Sequence, residues 1–285
     1  MILPGPGHPA PAKLNLFLHV VGRRPDGYHL LQSVFTLIDR CDELRFRVRD
    51  DGDLRRVSEL PGVPPEQDLV VRAARKLKEA SGTRLGADIE VEKRIPMGAG
   101  LGGGSSDAAT TLLALDRLWG TRLGHEALAG IGASLGADVP FFLFGAPAWA
   151  EGIGDRLRPF PVARRWYLVL TPPVQVPTAA AFQAAELTRN AEPLKMEDFS
   201  AQPQAFDSRS GFRNDLEPVV AARFPAVSRY LAWLREHGEA RMTGSGSCVF
   251  AGYDSREAAQ RVLDLLPAAM EGFIAQGLER HPLRA

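Results

Sequence analysis

Apolar and polar positions alternate with the period of a strand over residues 12–20, "AKLNLFLHV". Leu14, Leu16, Leu18 and Val20 fall on one face, and Lys13, Asn15, Phe17 and His19 on the other. After a turn-rich "GRRPDGYHLL", residues 33–53 read "SVFTLIDRCDELRFRVRDDGD", which predicts strands joined by tight turns, the last at Asp51-Gly52. Residues 68–80 carry a helical pattern, and 87–95, "ADIEVEKRI", alternate again as a strand. Beyond them Ala108, Leu112, Leu115 and Trp119 recur at i, i+4, i+7 and i+11, the stripe of a packed helix, with Ser105, Ser106 and Asp107 as candidate N-cap residues. A second helix is predicted near 124–135.

Past Pro159 and Pro161 a new strand, "RRWYLVLT", begins, so this region is the predicted boundary between a domain at 1–158 and another at 159–285. The second part reads as strand, irregular proline-containing connection, helices near 216–236, and a strand broken by a glycine turn, "ARMTGSGSCVFAGY". Asp254 and Glu257 make a D-x-x-E start for a helix to about Leu266, and "AAMEGFIAQ" supplies a final strand. The predicted class is α+β, with a small sandwich over 160–285.

The join between strand 87–95 and the following helix is "PMGAGLGGGSSD", with five glycines among Gly98 to Gly104. Amides at a helix start are unpaired donors with partial positive charge, and glycines before them let a phosphate approach without a Cβ in the way. A flexible turn is the plain alternative. Gly98, Gly100 and Gly103 satisfy G-x-G-x-x-G, but the acidic residue a dinucleotide fold needs about 20 positions on falls at Asp116, inside the helix. Nor is this a Walker A loop, since Gly104 and Ser105 stand where Lys and Ser or Thr would follow.

Composition narrows the partners. The 285 residues hold 34 Lys plus Arg and 34 Asp plus Glu, a net charge of zero that argues against an electrostatic grip on nucleic acid or an anionic membrane. The most apolar segment, 139–150, is far short of the roughly 20 residues of a bilayer span, and no export signal is expected at the N-terminus. Cys41 and Cys248 lie far apart without metal-ligand spacing, which fits a reduced cytoplasm.

A phosphate site without its own lysine needs a cation and a base from elsewhere. Lys13, one of five lysines, is the candidate cation, although a lysine at a strand start is also an ordinary surface residue. Asp138 in "GADVPFF" is the candidate base, or else a helix cap with Pro140 just inside. Tyr28 sits in a glycine-flanked loop suited to stacking on a flat ring; His29 beside it reads as a contact or a structural residue before a base. Thr243, Gly244, Ser245 and Gly246 form a second small-residue turn, either a β-bulge or a closure over phosphates.

Taken together, "PAKLNLFLHVVGRRPDGYHLLQSVF", "PMGAGLGGGSSDAA" and "RMTGSGSCVFA" resemble the three motifs of the GHMP kinases. With "GADVPFF" and "NDLE" in the same order, nearly the whole chain most resembles the branch acting on a cytidine diphosphate derivative of methylerythritol. That resemblance implies a domain like the second domain of ribosomal protein S5 followed by a ferredoxin-like one. It implies that ATP lies along Pro96, Met97, Gly98, Ala99, Gly100, Leu101, Gly102, Gly103, Gly104, Ser105 and Ser106, with Mg2+ on Ser105 or Ser106. Asp138 would take the proton of the acceptor's 2-hydroxyl while Lys13 holds the aspartate and the developing charge. Asn15 would contact the sugar alcohol; Tyr28 and His29 would grip the cytosine, stacked between Tyr28 and Phe182, with Thr178 nearby. Ala99 stands where relatives often have glycine. A cytoplasmic monomer or homodimer is implied; a homoserine or mevalonate type of GHMP kinase, or a nucleotide sensor that has lost catalysis, are the alternatives.

Overall fold

The computed structural model describes residue 3 and residues 5–197 and 212–284; part of the predicted proline-containing connection therefore lies outside the described residues. The architecture is α+β. Its first half holds β1 (His8–Arg23), β2 (His29–Arg49), β3 (Leu54–Arg56), α1 (Leu69–Ser81), β4 (Gly86–Glu92), α2 (Gly103–Leu118), α3 (His125–Ala133), α4 (Val139–Phe144), β5 (Ala148–Glu151) and β6 (Arg156–Pro159). The second holds β7 (Trp166–Leu170), α5 (Thr178–Gln183), α6 (Glu217–Arg223), α7 (Pro225–Arg235), β8 (Ala240–Met242), β9 (Val249–Tyr253), α8 (Arg256–Leu263) and β10 (Gly272–Leu278).

The described strands form one ten-stranded sheet, ordered β3-β4-β2-β10-β7-β9-β8, with β1 and β5 also on β2 and β6 on β5. In the second half the chain order β7, helices, β8, β9, α8, β10 and the spatial order β10-β7-β9-β8 give a split β-α-β motif of ferredoxin-like topology. α2 packs against β1, α1 and α4 at the centre of the first half. Its Leu112 and Leu115 join Val70, Val71 and Leu77 of α1 in one core, each such side chain contributing about 1.5–3 kcal/mol by leaving water.

Several local expectations change. β2 is one strand of 21 residues, not strands joined by turns. The charged "DRCDE" does not break it because its groups are satisfied sideways: Arg40 Nε donates to the Arg94 carbonyl (2.9 Å), and Asp42 Oδ1 accepts from the amides of Arg94 (2.5 Å) and Ile95 (2.7 Å). Those bonds also end β4 at Glu92, short of 95. In β1 a register shift between Asn15 and Phe17 moves Phe17 off the polar face and into the core with Leu14 and Leu16. Helix α2 starts at Gly103 with Gly102 as its cap residue, so Ser105, Ser106 and Asp107 are inside it and cap nothing. α8 is capped by Ser255, whose Oγ accepts from the Ala258 amide (3.1 Å), while Asp254 pairs with Arg165 (3.0 Å). Among the described residues no helix is long and apolar enough to cross a membrane.

Candidate active site

The glycine elbow is bent by three left-handed residues at every second position, Gly98 (φ +66°), Gly100 (φ +81°) and Gly102 (φ +73°). They lead into α2, whose N-cap carries no side-chain hydrogen bond, leaving its first amides for a ligand. A Cβ on Gly100 would stand 2.2 Å from the Thr243 carbonyl oxygen, so the second small-residue turn packs directly on the first. The two are stitched by the Cys248 amide on the Ala99 carbonyl (3.1 Å). Asn214, in "NDLE", donates from Nδ2 to the carbonyls of Met242 and Gly244 (both 2.8 Å) and so fixes the second turn.

Beside the elbow opens a cavity of about 970 Å³ lined from both halves of the chain. Lys13 enters it from β1 and is 3% exposed. Its Nζ lies 3.6 Å from Asp138 Oδ2, donates to Asn15 Oδ1 (2.5 Å) and sits 5.2 Å from the centre of the Phe35 ring. Asn15 is itself held, its Nδ2 donating to Ser33 Oγ (2.9 Å) and its amide to Thr243 Oγ1 (3.0 Å). Asp138 occupies the cap position of α4, yet its carboxylate makes no capping bond and stays half-buried in the cavity. Asp138 thus holds the cap position without capping, and its side chain faces the lysine instead.

Across the cavity, Tyr28 is 60% exposed, whereas His29 is buried and its ring packs on Phe182 with centroids 5.1 Å apart. Loss of solvation, followed by the nearby Arg189 and Arg23, holds the His29 imidazole below its ordinary pKa. Thr178 Oγ1 and Ser245 Oγ are 2.8 Å apart, which joins the start of α5 to the second turn.

Most of the predicted residues therefore line one cavity: Lys13, Asn15, Tyr28, His29, Asp138, Thr178, Phe182, Gly244, Ser245 and the elbow positions Pro96, Met97, Gly98, Ala99, Gly100, Gly102, Gly103, Gly104 and Ser105. Leu101 and Ser106 do not. Leu101 is core, and its carbonyl accepts from the Lys13 amide (3.0 Å), while Ser106 is fully buried and donates to the Pro11 carbonyl (2.7 Å). Thr243 and Gly246 support the turn from behind.

Sequence reasoning missed the buried cluster Asp42, Lys93 and Asp107. Lys93 Nζ donates to Asp107 Oδ2 (2.8 Å) and to Asp42 Oδ2, and both Lys93 and Asp107 line the cavity. Burial, with Asp42 beside it and Lys93 opposing, lifts the Asp107 carboxyl to about 7. The only signal was a lysine at the end of β4 in a chain with few of them.

Among the described residues no group of three or more His, Cys, Asp or Glu could hold a metal ion. Magnesium asks for less: it keeps several waters and takes one or two protein oxygens when it arrives on a nucleotide's phosphates. The Ser105 side chain borders the cavity and fits that demand, whereas Ser106 is already committed.

Residues 68–146 match the GHMP kinases N terminal domain and residues 195–272 the GHMP kinases C terminal domain. The 4-diphosphocytidyl-2-C-methyl-D-erythritol kinase of Thiobacillus denitrificans is 58% identical over 275 residues, 96% of each chain. That of Aromatoleum aromaticum is 55% identical over 276 residues, 97% of this chain and 94% of its own. The crystal structure of a 4-(cytidine 5'-diphospho)-2C-methyl-D-erythritol kinase superposes with a TM-score of 0.83 at 34% identity, covering 95% of this chain and 99% of that one. A mevalonate kinase shares the fold, with a TM-score of 0.70 at 14% identity over 97% of this chain and all of the other. With identity this high over almost its whole length, and a glycine elbow facing a lysine and aspartate pair, the chain belongs to the GHMP kinases, in the family of the 4-diphosphocytidyl-2-C-methyl-D-erythritol kinases.

Proposed function

We propose that this kinase transfers the γ-phosphoryl group of ATP to the 2-hydroxyl of 4-diphosphocytidyl-2-C-methyl-D-erythritol, giving the 2-phosphate and ADP, in the non-mevalonate route to isoprenoid precursors. The observation that carries the reading is the Lys13 and Asp138 pair at 3.6 Å beside an uncapped helix start, in a cavity whose far wall is aromatic. The elbow from Pro96 to Ser105 cradles the triphosphate, and Ser105 would hold magnesium, which would offset the negative charge of the phosphates. Asp138 takes the proton of the acceptor hydroxyl as its oxygen forms the bond to the γ-phosphorus and the bond from that phosphorus to ADP breaks. Lys13 steers the carboxylate and offsets negative charge on the transferring group. Asn15 orients the sugar alcohol, and the cytosine lies by Tyr28, His29 and Phe182. Gly244 and Ser245 close the phosphate side. The enzyme works in the cytoplasm on small molecules, as a monomer or homodimer, with the domain division at 158/159.

An ADP-release assay on purified protein, offering the cytidine substrate, homoserine and mevalonate in turn, tests this. Turnover is expected only with the cytidine substrate. Turnover with homoserine or mevalonate instead overturns the acceptor, and MgATP binding with no ADP release on any of them overturns catalysis in favour of a sensor.

A further inference from the structure

The aromatic wall carries a group to which the proposed reaction gives no task. Arg189 follows α5, and its guanidinium spends its donors inward. Nε donates to His29 Nε2 (3.1 Å), Nη1 to the Leu187 carbonyl (3.0 Å), and Nη2 to the carbonyls of Phe182 (3.0 Å) and Ala184 (2.6 Å). An arginine N–H is always a donor, so the imidazole nitrogen that receives it must offer a lone pair. The proton of neutral His29 is then on Nδ1. Among the described residues that nitrogen has no hydrogen-bond partner, and His29 lines the cavity. The same guanidinium holds the backbone of Phe182, whose ring packs on His29.

We propose that Arg189 is a positioning and specificity residue of the nucleobase subsite: it locks His29 as the Nδ1–H tautomer, a donor for the acceptor edge of a cytosine-type base, and fixes Phe182 with it. This rests on the acceptor reading above. An imidazolium would turn two donors, His29 Nε2–H and Arg189 Nε–H, against each other, so recognition fails on protonation. The charged groups about His29 are Arg189 and Arg23, both cationic, and both hold the ring neutral.

The tautomer is read directly by 15N NMR of His29 in the full-length protein, before any substrate is added. A protonated Nδ1 and bare Nε2 at pH 7.5 are expected; the opposite tautomer overturns the proposal. For function, Arg189→Met and Arg189→Lys are compared with wild type from pH 5 to 8. Arg189→Met is expected to raise KM for the cytidine substrate about tenfold, as for loss of a charge-assisted hydrogen bond, with KM for ATP within about twofold. Without the arginine's charge the acid limb of kcat/KM moves to higher pH, and Arg189→Lys, which keeps the charge, keeps the limb near its wild-type place. Equal rises in both KM values, or an unmoved acid limb in Arg189→Met, reduce Arg189 to a structural tie and overturn the proposal. If the cytidine compound is no substrate at all, the acceptor reading fails, while the NMR result still decides the tautomer.

Discussion

Asp138 stands where a helix cap would stand and caps nothing; its carboxylate is instead 3.6 Å from a buried ammonium. Kept from a capping bond and paired with Lys13 in a cavity, it is the residue we propose as the proton acceptor. Asp138→Asn keeps the shape and removes the base, so kcat should fall about a hundredfold or more while the dissociation constant for MgATP, measured by calorimetry, changes little. Near-normal turnover would take Asp138 out of that role. The two residues themselves were legible as candidates, because a lysine alternating with Asn15 on a strand and an aspartate before V-P are local patterns, while their roles came from the family resemblance. Arg189 was not. It looks like any arginine in a polar stretch until the fold brings it to His29, 160 positions away. Lys93 was hidden for the same reason, since its partner Asp42 lies 51 positions off.

The same contrast holds for whole elements. The strand-to-helix elbow was readable from its glycines, whereas "TGSGS" read either as a β-bulge or as a closure over phosphates, because nothing in it says which loop it faces. In the fold the two turns touch through Gly100, at φ +81°, with the Thr243 carbonyl where a Cβ would be. Gly100→Ala therefore meets two costs at once, a left-handed backbone and a clash with main chain that cannot swing aside. Together these should destabilise the protein by about 2–4 kcal/mol in urea unfolding. Because the turns must separate for the methyl to fit, the thermal shift on adding MgATP should shrink as well. An unchanged urea midpoint and thermal shift would mean that the turns do not pack as described. The start of α2 was misread in an instructive way: Ser106 and Asp107 are good capping residues by type, yet Pro11 and Lys93 claim their side chains, and a glycine takes the cap. The long β2 was misread because charges that usually mark a turn are bonded across to the 94–95 backbone.

At the scale of the molecule, the two halves are joined by more than the connection after β6. β10 pairs with β2 at Gly277 with Ile38 and Leu278 with Leu37, and the residues after it return to the first half. There the His281 amide donates to the Gly145 carbonyl (2.8 Å), and Arg284 donates to the carbonyls of Leu143 and Phe144. The proline pair marked a boundary in the sequence, but a sheet that crosses it back depends on pairing between residues some 240 apart, which periodicity does not encode. His281 is fully buried at this junction, its Nδ1 accepting from the Leu283 amide (3.1 Å) and its Nε2 3.4 Å from Thr110 Oγ1. Burial, then the charges of Arg284 and Arg117, depress its pKa to about 4 from 6.5. A base with a depressed folded pKa adds stability that is complete above pH 6.5 and drains away as pH falls toward 4, here about 3 kcal/mol. His281→Gln carries no such proton. Urea unfolding from pH 7.5 to 4 should therefore find the variant weaker at pH 7.5, yet losing about 3 kcal/mol less than wild type on acidification. Parallel pH curves for the two proteins would mean that His281 takes up its proton without disturbing the junction, and that the tail is not what acid loosens first.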